Sequence, residues 1–197
     1  MIIKAESEII GIVLAGGESR RFGSPKAFVE HKGDYFINYS LRALQSITGN
    51  IIVVSHPSLT DNMKKRVEMK VIEDLKPFHG KGPLAGIYSA ISCVNAKWYV
   101  VLPCDTPNIT NQIIEKIVSF RATNVDAIIP IIAGKMQPLI AVYNHSVKEK
   151  IKRLLEEGTY NMRALAEDCH VKYVSEVDLE TSGYEFHNVN YSSDLPD

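Results

Sequence analysis

Residues 9–27 constrain this chain more than any other stretch, because an apolar run there changes abruptly into a glycine-rich, basic loop. The first part, IIGIVLA at residues 9–15, is aliphatic and shows no polar alternation. A continuous apolar run of this length is typical of a strand buried on both faces, as in a parallel sheet. The sequence therefore predicts a central strand whose carboxyl end leads directly into the loop.

The loop after this strand carries the groups that bind a polyphosphate. Glycine lets backbone N–H groups approach an anion closely, and consecutive N–H groups can form an anion-binding nest. The glycines, hydroxyl group and cations of the loop are Gly16, Gly17, Ser19, Arg20, Arg21, Gly23 and Lys26. We expect a triphosphate-binding loop here. The alternative is a basic surface loop in which the glycines serve only to turn the chain.

Two familiar phosphate-loop motifs do not fit this segment. The motif of the nucleoside triphosphatases places four residues between its glycines and follows them with Lys and Ser or Thr. Here five residues separate Gly17 from Gly23, and Lys26 lies further along. The dinucleotide-binding pattern Gly-x-Gly-x-x-Gly is missing as well. The loop therefore indicates a different kind of nucleotide site.

Composition excludes several classes of function. The 197 residues include 22 Lys plus Arg and 23 Asp plus Glu, which gives a formal net charge of −1. This balance provides no general attraction for nucleic acid or a membrane surface. No signal peptide or membrane span is expected, and three cysteines without metal-ligand spacing favour a cytoplasmic protein. We expect one domain over residues 1–197.

Strand and helix patterns alternate along the rest of the chain. The predicted strands cover residues 51–54, 71–72, 98–102, 127–132, 138–143 and 171–174. The predicted helices cover residues 36–44 with Asp34 as N-cap, 59–67, 84–94, 113–118 with Asn108 or Thr110 as N-cap, 147–155 and 161–169. This alternation predicts an α/β fold with one doubly wound, mostly parallel sheet that binds ligands at the carboxyl ends of its strands. Residues 133–135 suit a hairpin, so we also expect a small antiparallel insertion.

Asp105 directly follows a buried strand, so its carboxylate should face the same crevice as the phosphate loop. Magnesium prefers oxygen ligands and takes few of them from protein, because phosphates and water complete its shell. Beside a phosphate loop, Asp105 is therefore the predicted Mg²⁺ ligand; the alternative is a turn-forming acid between two prolines. Cys104 has no basic partner nearby in sequence, so we interpret it as a small buried residue and not a nucleophile.

Four motifs, taken in chain order, resemble those of one family. They are LAGGESRRFGSPKA at residues 14–27, HGKGPLAGI at 79–87, PCDTP at 103–107 and FHNVNYSSDL at 186–195. Together they are similar to the motifs of the nucleotidyltransferases that resemble molybdenum cofactor guanylyltransferase, a family with a Rossmann-like nucleotidyltransferase fold. The paired glycines distinguish this branch from the related cytidylyl- and sugar-nucleotidyltransferases.

The resemblance implies a role for each matching residue. The implied nucleotide-binding residues are Leu14, Ala15, Gly16, Gly17, Ser19, Arg20, Gly23, Lys26, Asp74, Gly82, Pro83, Leu84 and Asp105. Asp74 corresponds to the family's guanine contact; without the resemblance it would be interpreted as a solvated loop acid. The implied acceptor-binding residues are Gln137, Asn188 and Asn190. Tyr191 departs from the family pattern, which has Thr at this position.

The implied reaction is transfer of GMP from GTP to the terminal phosphate of molybdopterin, with Mg²⁺ as cofactor and pyrophosphate as the second product. Its implied catalytic residues are Arg21, Lys26 and Asp105, although the residues alone leave open whether Arg20 or Arg21 contacts phosphate. The resemblance also implies transient contact with other proteins of molybdenum cofactor biosynthesis. Two alternatives remain, namely a cytidylyl- or sugar-phosphate nucleotidyltransferase and a non-catalytic nucleotide-binding regulator.

Overall fold

The computed structural model describes residues 8–17 and 25–189. Within these ranges the strands are β1 (Ile9–Ala15), β2 (Glu30–His31), β3 (Asp34–Tyr35), β4 (Ile51–Ser55), β5 (Lys70–Ile72), β6 (Trp98–Pro103), β7 (Ala127–Ile132), β8 (Lys135–Met136), β9 (Ala141–Asn144) and β10 (Val171–Ser175). The helices are α1 (Phe36–Gln45), α2 (Thr60–Arg66), α3 (Pro83–Cys93), α4 (Asn111–Ser119), α5 (Val147–Glu156), α6 (Met162–Glu167) and α7 (Glu176–Leu179). Short 3-10 turns lie at Lys26–Phe28, Pro57–Leu59, Lys76–Phe78 and Tyr184–Phe186.

The main sheet has the strand order β10-β7-β9-β6-β1-β4-β5, with β8 paired to β7. β1 pairs in parallel with both β4 and β6, and β5 extends the sheet in parallel beyond β4. β9 runs antiparallel to β6 and β7, and β8 runs antiparallel to β7. The predicted α/β class with a mostly parallel sheet and a small antiparallel part is therefore confirmed.

Apolar side chains cover both faces of this sheet, as a doubly wound fold requires. One face packs α1 and α4 through residues such as Leu44 and Ile117, and the other packs α3 and α5 through residues such as Ile87 and Ile151. Within β1 a Cβ at Gly11 would lie 3.1 Å from Leu44 Cδ1 and from a β4 side chain. The missing side chain thus lets α1 pack closely against the sheet.

The antiparallel part differs in detail from the prediction. The hairpin turn lies at Ala133 and Gly134, which have φ of 48° and 72°, but the strand after it is only β8. The prediction of a strand over residues 138–143 is wrong at its start, because β9 begins at Ala141. Pro138 has no N–H to donate to a ladder, and the chain instead turns there, with the Ile140 N–H donating to the Gln137 carbonyl at 3.0 Å.

The structure tests the predicted N-caps of α4 and α1. Thr110 is the N-cap of α4, since its hydroxyl accepts from the Ile113 N–H at 3.4 Å. The prediction that Asp34 caps α1 is wrong, because the N-cap is Tyr35 and Asp34 belongs to β3. Its carboxylate accepts from the Tyr35 N–H at 2.8 Å and pairs with Arg42, so it fixes the entry to the helix from one residue earlier.

Candidate active site

A cleft of about 730 Å³ opens at the carboxyl ends of the parallel strands. Among the predicted site residues, those that line it are Leu14, Ala15, Gly16, Gly17, Lys26, Asp74, Gly82, Pro83, Asp105 and Asn188. These residues come from six separate segments of the chain, and the sheet brings them together. The cleft therefore lies where a doubly wound sheet is expected to bind its ligand.

The strand registers give the order of residues along the cleft. Leu14 of β1 lies opposite Pro103 of β6, Ala15 lies opposite Ser55 of β4, and Val54 of β4 lies opposite Ile72 of β5. Continuing these registers past the strand ends gives one row across four neighbouring strands: Asp105, Gly16, His56 and Asp74. Neighbouring strands lie about 4.8 Å apart, so the row spans about 14 Å.

The glycine pair after β1 leaves backbone exposed to the cleft. A Cβ at Gly16 would have the His56 backbone nitrogen as its nearest neighbour, at 3.9 Å, and a Cβ at Gly17 would have nothing within 4 Å. Backbone N–H groups in such open surroundings can be approached by a phosphate. Four of the predicted loop residues lie outside the described ranges: Ser19, Arg20, Arg21 and Gly23.

Lys26 and Asp105 meet at one end of the cleft although 79 positions separate them in sequence. The Lys26 Nζ lies 2.8 Å from Asp105 Oδ2, and the two side chains are only 17% and 18% exposed. Lys26 begins the 3-10 turn after Pro25, while Asp105 follows β6. The Asp105 carbonyl also accepts from the Val189 N–H at 2.9 Å, which joins the carboxyl-terminal segment to this turn. A cation and a carboxylate therefore face one point of the cleft.

Cys104, next to Asp105, is buried and does not act as a nucleophile. Burial raises the pKa of its thiol to about 12, and the nearby Asp105 carboxylate adds to this increase. The thiol therefore stays protonated near neutral pH, and the thiolate is the reactive form of cysteine. This agrees with the interpretation of Cys104 as a packing residue.

Asp74 stands at the opposite end of the cleft, two residues after β5. Its Oδ2 accepts from the Gly80 N–H at 3.1 Å, so the carboxylate bridges to the loop before α3. Burial raises the pKa of Asp74, and the Gly80 hydrogen bond and the charges of His79 and His56 offset part of that rise. Asp74 is therefore a half-buried acid that faces the cleft, and the interpretation as a solvated loop acid does not fit its surroundings.

Two glycines shape the wall beside Asp74. Gly82 is the N-cap of α3 and has φ of 77° and ψ of −167°, a conformation that is essentially restricted to glycine. Pro83 then occupies the first helical position, where its missing N–H is not needed. In the first turn, a Cβ at Gly86 would lie 3.1 Å from Leu14 Cδ2 and 3.6 Å from Asp74 Oδ1. The small residue thus keeps this part of the cleft open.

Two predicted site residues do not line the cleft, and a third lies outside the described residues. Leu84 is fully buried in the core against the sheet and does not line the cleft. Gln137 is not among the lining residues either; its loop reaches the cleft through Leu139. Asn190 lies outside the described residues, whereas Asn188 lines the cleft.

His56, His79 and Leu139 also line the cleft, and the sequence analysis did not select them. A signal for His56 was present, because it is the first residue after the buried strand β4, and Asp105 likewise lies two residues after the buried strand β6. His79 begins the HGKGPLAGI motif but was given no role, and no signal marks Leu139; both lie in loops.

The described residues contain no cluster of three or more side chains that could hold a metal ion by themselves. A magnesium ion bound together with a polyphosphate needs only one or two carboxylates from the protein. Asp105, largely buried at a strand end and facing the glycine loop, fits that requirement. In the same ranges, no helix is long and apolar enough to cross a membrane.

A mostly parallel doubly wound sheet with a glycine loop, a lysine and a strand-end aspartate in one cleft defines a nucleotidyltransferase. The chain belongs to the MobA-like NTP transferase domain family, whose model matches residues 11–173. This confirms the predicted family and the prediction of a nucleotidyltransferase enzyme.

The chain is 41% identical over 184 residues to "Probable molybdenum cofactor guanylyltransferase" of Bacillus mycoides (strain KBAB4), covering 93% of this chain and 92% of that protein. The protein of the same name from Bacillus anthracis has the same identity and coverage. Among solved structures, molybdopterin-guanine dinucleotide biosynthesis protein A from Archaeoglobus fulgidus superposes with a TM-score of 0.80 at 25% identity, covering 94% of both chains. The inositol-1-phosphate CTP transferase from T. maritima shares the fold, with a TM-score of 0.68 at 14% identity over 99% of this chain and 94% of that one.

Proposed function

We propose that the protein transfers GMP from GTP to the terminal phosphate of molybdopterin, giving molybdopterin guanine dinucleotide and pyrophosphate. The observation that carries this proposal is the cleft in which Lys26 and Asp105 meet at one end and Asp74 stands at the other. The similarity to relatives named for this activity supports it.

The row formed by Asp105, Gly16, His56 and Asp74 indicates the orientation of the bound nucleotide. Its span of about 14 Å is long enough for phosphates at one end and a base at the other. The Gly16–Gly17 backbone and the Lys26 ammonium group form the phosphate end, and Asp74 forms the base end. Arg21, which matches the family pattern, is the further phosphate contact that we propose, with Ser19, Arg20 and Gly23 in the same loop.

At the base end, Asp74 is suited to guanine. Guanine presents two adjacent donors, the ring N1–H and the exocyclic amine, and a carboxylate accepts from both. Adenine has no hydrogen on N1, so it would not offer the half-buried carboxylate the paired donors of guanine and would leave it with the Gly80 N–H. Burial therefore makes the wrong base unfavourable, in addition to making the right base favourable.

At the phosphate end, Asp105 is the residue that would hold Mg²⁺. A bound Mg²⁺ would neutralise charge on the nucleotide phosphates during transfer. Lys26, whose Nζ lies 2.8 Å from Asp105 Oδ2, would face the same phosphates. Lys26 would stabilise the negative charge that develops on the departing pyrophosphate, because a cationic clamp is most effective where charge accumulates in the transition state.

The acceptor would enter beside Asp105. Asn188 lines the cleft there, and its neighbour Val189 donates its N–H to the Asp105 carbonyl at 2.9 Å. Amide side chains suit a neutral partner rich in hydrogen-bonding groups, such as a pterin. We therefore propose Asn188, Asn190 and Gln137 as acceptor-binding residues, with Leu139 as the part of the Gln137 loop that lines the cleft.

No general base is required for this transfer. A terminal phosphate monoester is already an anion near neutral pH, because its second pKa is about 6. The protein then has to align the acceptor oxygen with the α-phosphate of GTP and to neutralise charge. That fits a cleft in which, among the described residues, Lys26 and Asp105 lie at one end and Asp74 lies at the other.

We also propose the cytoplasm as the place of this reaction. Cys93, Cys104 and Cys169 are all unbridged thiols, which agrees with a reducing compartment. Proteins that make or use the molybdenum cofactor are the proposed transient partners.

Pyrophosphate release tests the reaction directly. The purified protein is mixed with Mg²⁺, molybdopterin and one nucleotide at a time: GTP, ATP, CTP or UTP. We expect release with GTP only, and only in the presence of the acceptor. Release with CTP in place of GTP would support a cytidylyltransferase, and release with a sugar phosphate as acceptor would support the sugar-nucleotide alternative.

A further inference from the structure

His56 is a polar cleft residue to which the proposed transfer assigns no role. It follows β4 directly and lines the cleft together with Asp74 and Gly16. The register of β4 with β5, continued two residues beyond Val54 and Ile72, sets His56 opposite Asp74. Because neighbouring strands are about 4.8 Å apart, the two residues come from adjacent positions at the base end of the cleft.

The contacts of the His56 ring indicate the tautomer of its neutral form. Its Nδ1 accepts from the backbone N–H of Ser58 at 3.3 Å and lies 2.8 Å from the Ser58 hydroxyl. A backbone N–H can only donate, so its bond to Nδ1 requires the tautomer in which Nδ1 carries no proton, and the Ser58 hydroxyl can donate to the same nitrogen. The proton of the neutral imidazole then lies on Nε2, which makes this nitrogen a hydrogen-bond donor.

A donor at the end of the strand next to that of Asp74 would complement one edge of guanine. Next to the N1–H that Asp74 would accept, guanine carries the acceptor O6, whereas adenine carries an amino group there. We propose that His56 is a specificity-determining residue whose Nε2–H donates to O6 of the bound guanine. This inference rests on the proposed use of GTP and extends it, because Asp74 alone recognises only the donor half of the base edge.

The other histidine of the cleft provides a matched control. His79 lies in the loop after the Lys76–Phe78 turn and is exposed, and its charge lowers the pKa of Asp74, as that of His56 does. The structure assigns no hydrogen bond to its ring among the described residues, so its orientation is not fixed in the same way. If only the charge near Asp74 affected guanine binding, replacing either histidine would have the same effect. If the oriented Nε2–H donor matters, only replacement of His56 would change the recognition of guanine.

The test compares GTP with two analogues by competition binding to the full-length protein. The 6-thio analogue of GTP replaces O6 with sulfur, a weak acceptor, and keeps both donors. ITP keeps O6 and N1–H but lacks the amine. The variants are His56→Asn, whose side-chain oxygen can still accept from the Ser58 N–H, and His79→Asn as control.

In the unmutated protein and in His79→Asn, GTP should bind about 10-fold more tightly than its 6-thio analogue, the scale of one hydrogen bond. In His56→Asn this ratio should fall to about 1, because GTP binding weakens and binding of the 6-thio analogue does not. The preference for GTP over ITP should be the same in all three proteins, since it depends on Asp74.

A His56→Asn variant that keeps the full preference for GTP over the 6-thio analogue would overturn this inference and leave the proposed function intact. Equal weakening of all three nucleotides would overturn it as well, because His56 would then only support the turn at Pro57–Leu59. Should the unmutated protein bind GTP no better than ATP, the proposed function fails and the inference fails with it.

Discussion

Replacing Asp74 with asparagine changes the proposed base contact while leaving the surrounding loop in place. The Asp74 Oδ2 accepts from the Gly80 N–H at 3.1 Å, and the asparagine carbonyl can make the same bond. What changes is the other half of the group, where an N–H donor replaces an acceptor and the negative charge is lost. Asp74→Ala would also remove the Gly80 contact, so asparagine is the cleaner substitution.

The expected loss of GTP affinity follows from the two bonds that Asp74 would make. A hydrogen bond to a charged group contributes about 1.5–3 kcal/mol, and two such bonds are not fully additive at a half-buried carboxylate. We therefore expect Asp74→Asn to weaken GTP binding by about 2–3 kcal/mol, or roughly 30- to 150-fold. Binding of ATP should stay nearly unchanged, because adenine has no N1–H for the carboxylate.

Calorimetric titration of GTP and ATP into both proteins measures these changes, and thermal unfolding gives an independent check. Burial raises the pKa of Asp74 in the folded protein. The ionised carboxylate therefore destabilises the fold at a pH above this raised pKa. The destabilisation disappears at a pH below the ordinary pKa of an aspartate, where the carboxyl is protonated in both the folded and the unfolded chain. Asp74→Asn should thus raise the melting temperature at neutral pH and lose this advantage in acid. Equal losses of GTP and ATP affinity would refute the base-reading role and leave Asp74 as a support of the loop.

Three further substitutions test other parts of the account. Lys26→Gln should lower kcat for pyrophosphate release by about 100-fold or more, since it removes a charge that stabilises the leaving group; unchanged steady-state kinetics would make Lys26 a structural partner of Asp105 only. Gly82→Ala should lower the free energy of unfolding in urea by about 1–3 kcal/mol because of its φ of 77°, whereas the exposed Gly49→Ala should be neutral. At Asp126, burial would raise the pKa of the carboxyl, but hydrogen bonds from Ser146, Lys150 and the His170 N–H outweigh it and lower the pKa to about 2. The ionised Asp126 carboxylate should therefore stabilise the fold fully above about pH 4, and this stabilisation should be lost as the pH falls towards 2. Asp126→Asn should flatten this part of the profile of melting temperature against pH.

The parallel half of the fold could be predicted because each strand there is a continuous apolar run. β1, β4 and β6 are buried along nearly their whole length, and their ends placed Gly16 and Asp105 at one edge of the sheet. The apolar sequence pattern was a weaker signal for the short strands. β8 has two residues, and Pro138 displaces the next strand by preventing a ladder bond, so the antiparallel part was predicted with the wrong start.

Individual residues of the candidate site could be predicted from the sequence, but the contacts between them could not. Asp74 follows β5, a strand of three residues, and only the family resemblance singled it out. The contact between Lys26 and Asp105 joins positions 79 residues apart, and no spacing rule connects them. The rule that found Asp105 also applies to His56, but a histidine after a strand occurs for packing as well, and the sequence does not separate the two; the structure adds that His56 lines the cleft.

Transfer of label from GTP tests the central claim most directly. The protein is incubated with molybdopterin, Mg²⁺ and GTP that carries ³²P at either the α or the γ position, and the products are separated by chromatography. The account predicts that the α label appears in a molybdopterin dinucleotide and the γ label in pyrophosphate, and that Asp105→Asn reduces both signals by about 100-fold or more. The γ label in the acceptor, or an Asp105→Asn variant that transfers the α label at the unmutated rate, would contradict it.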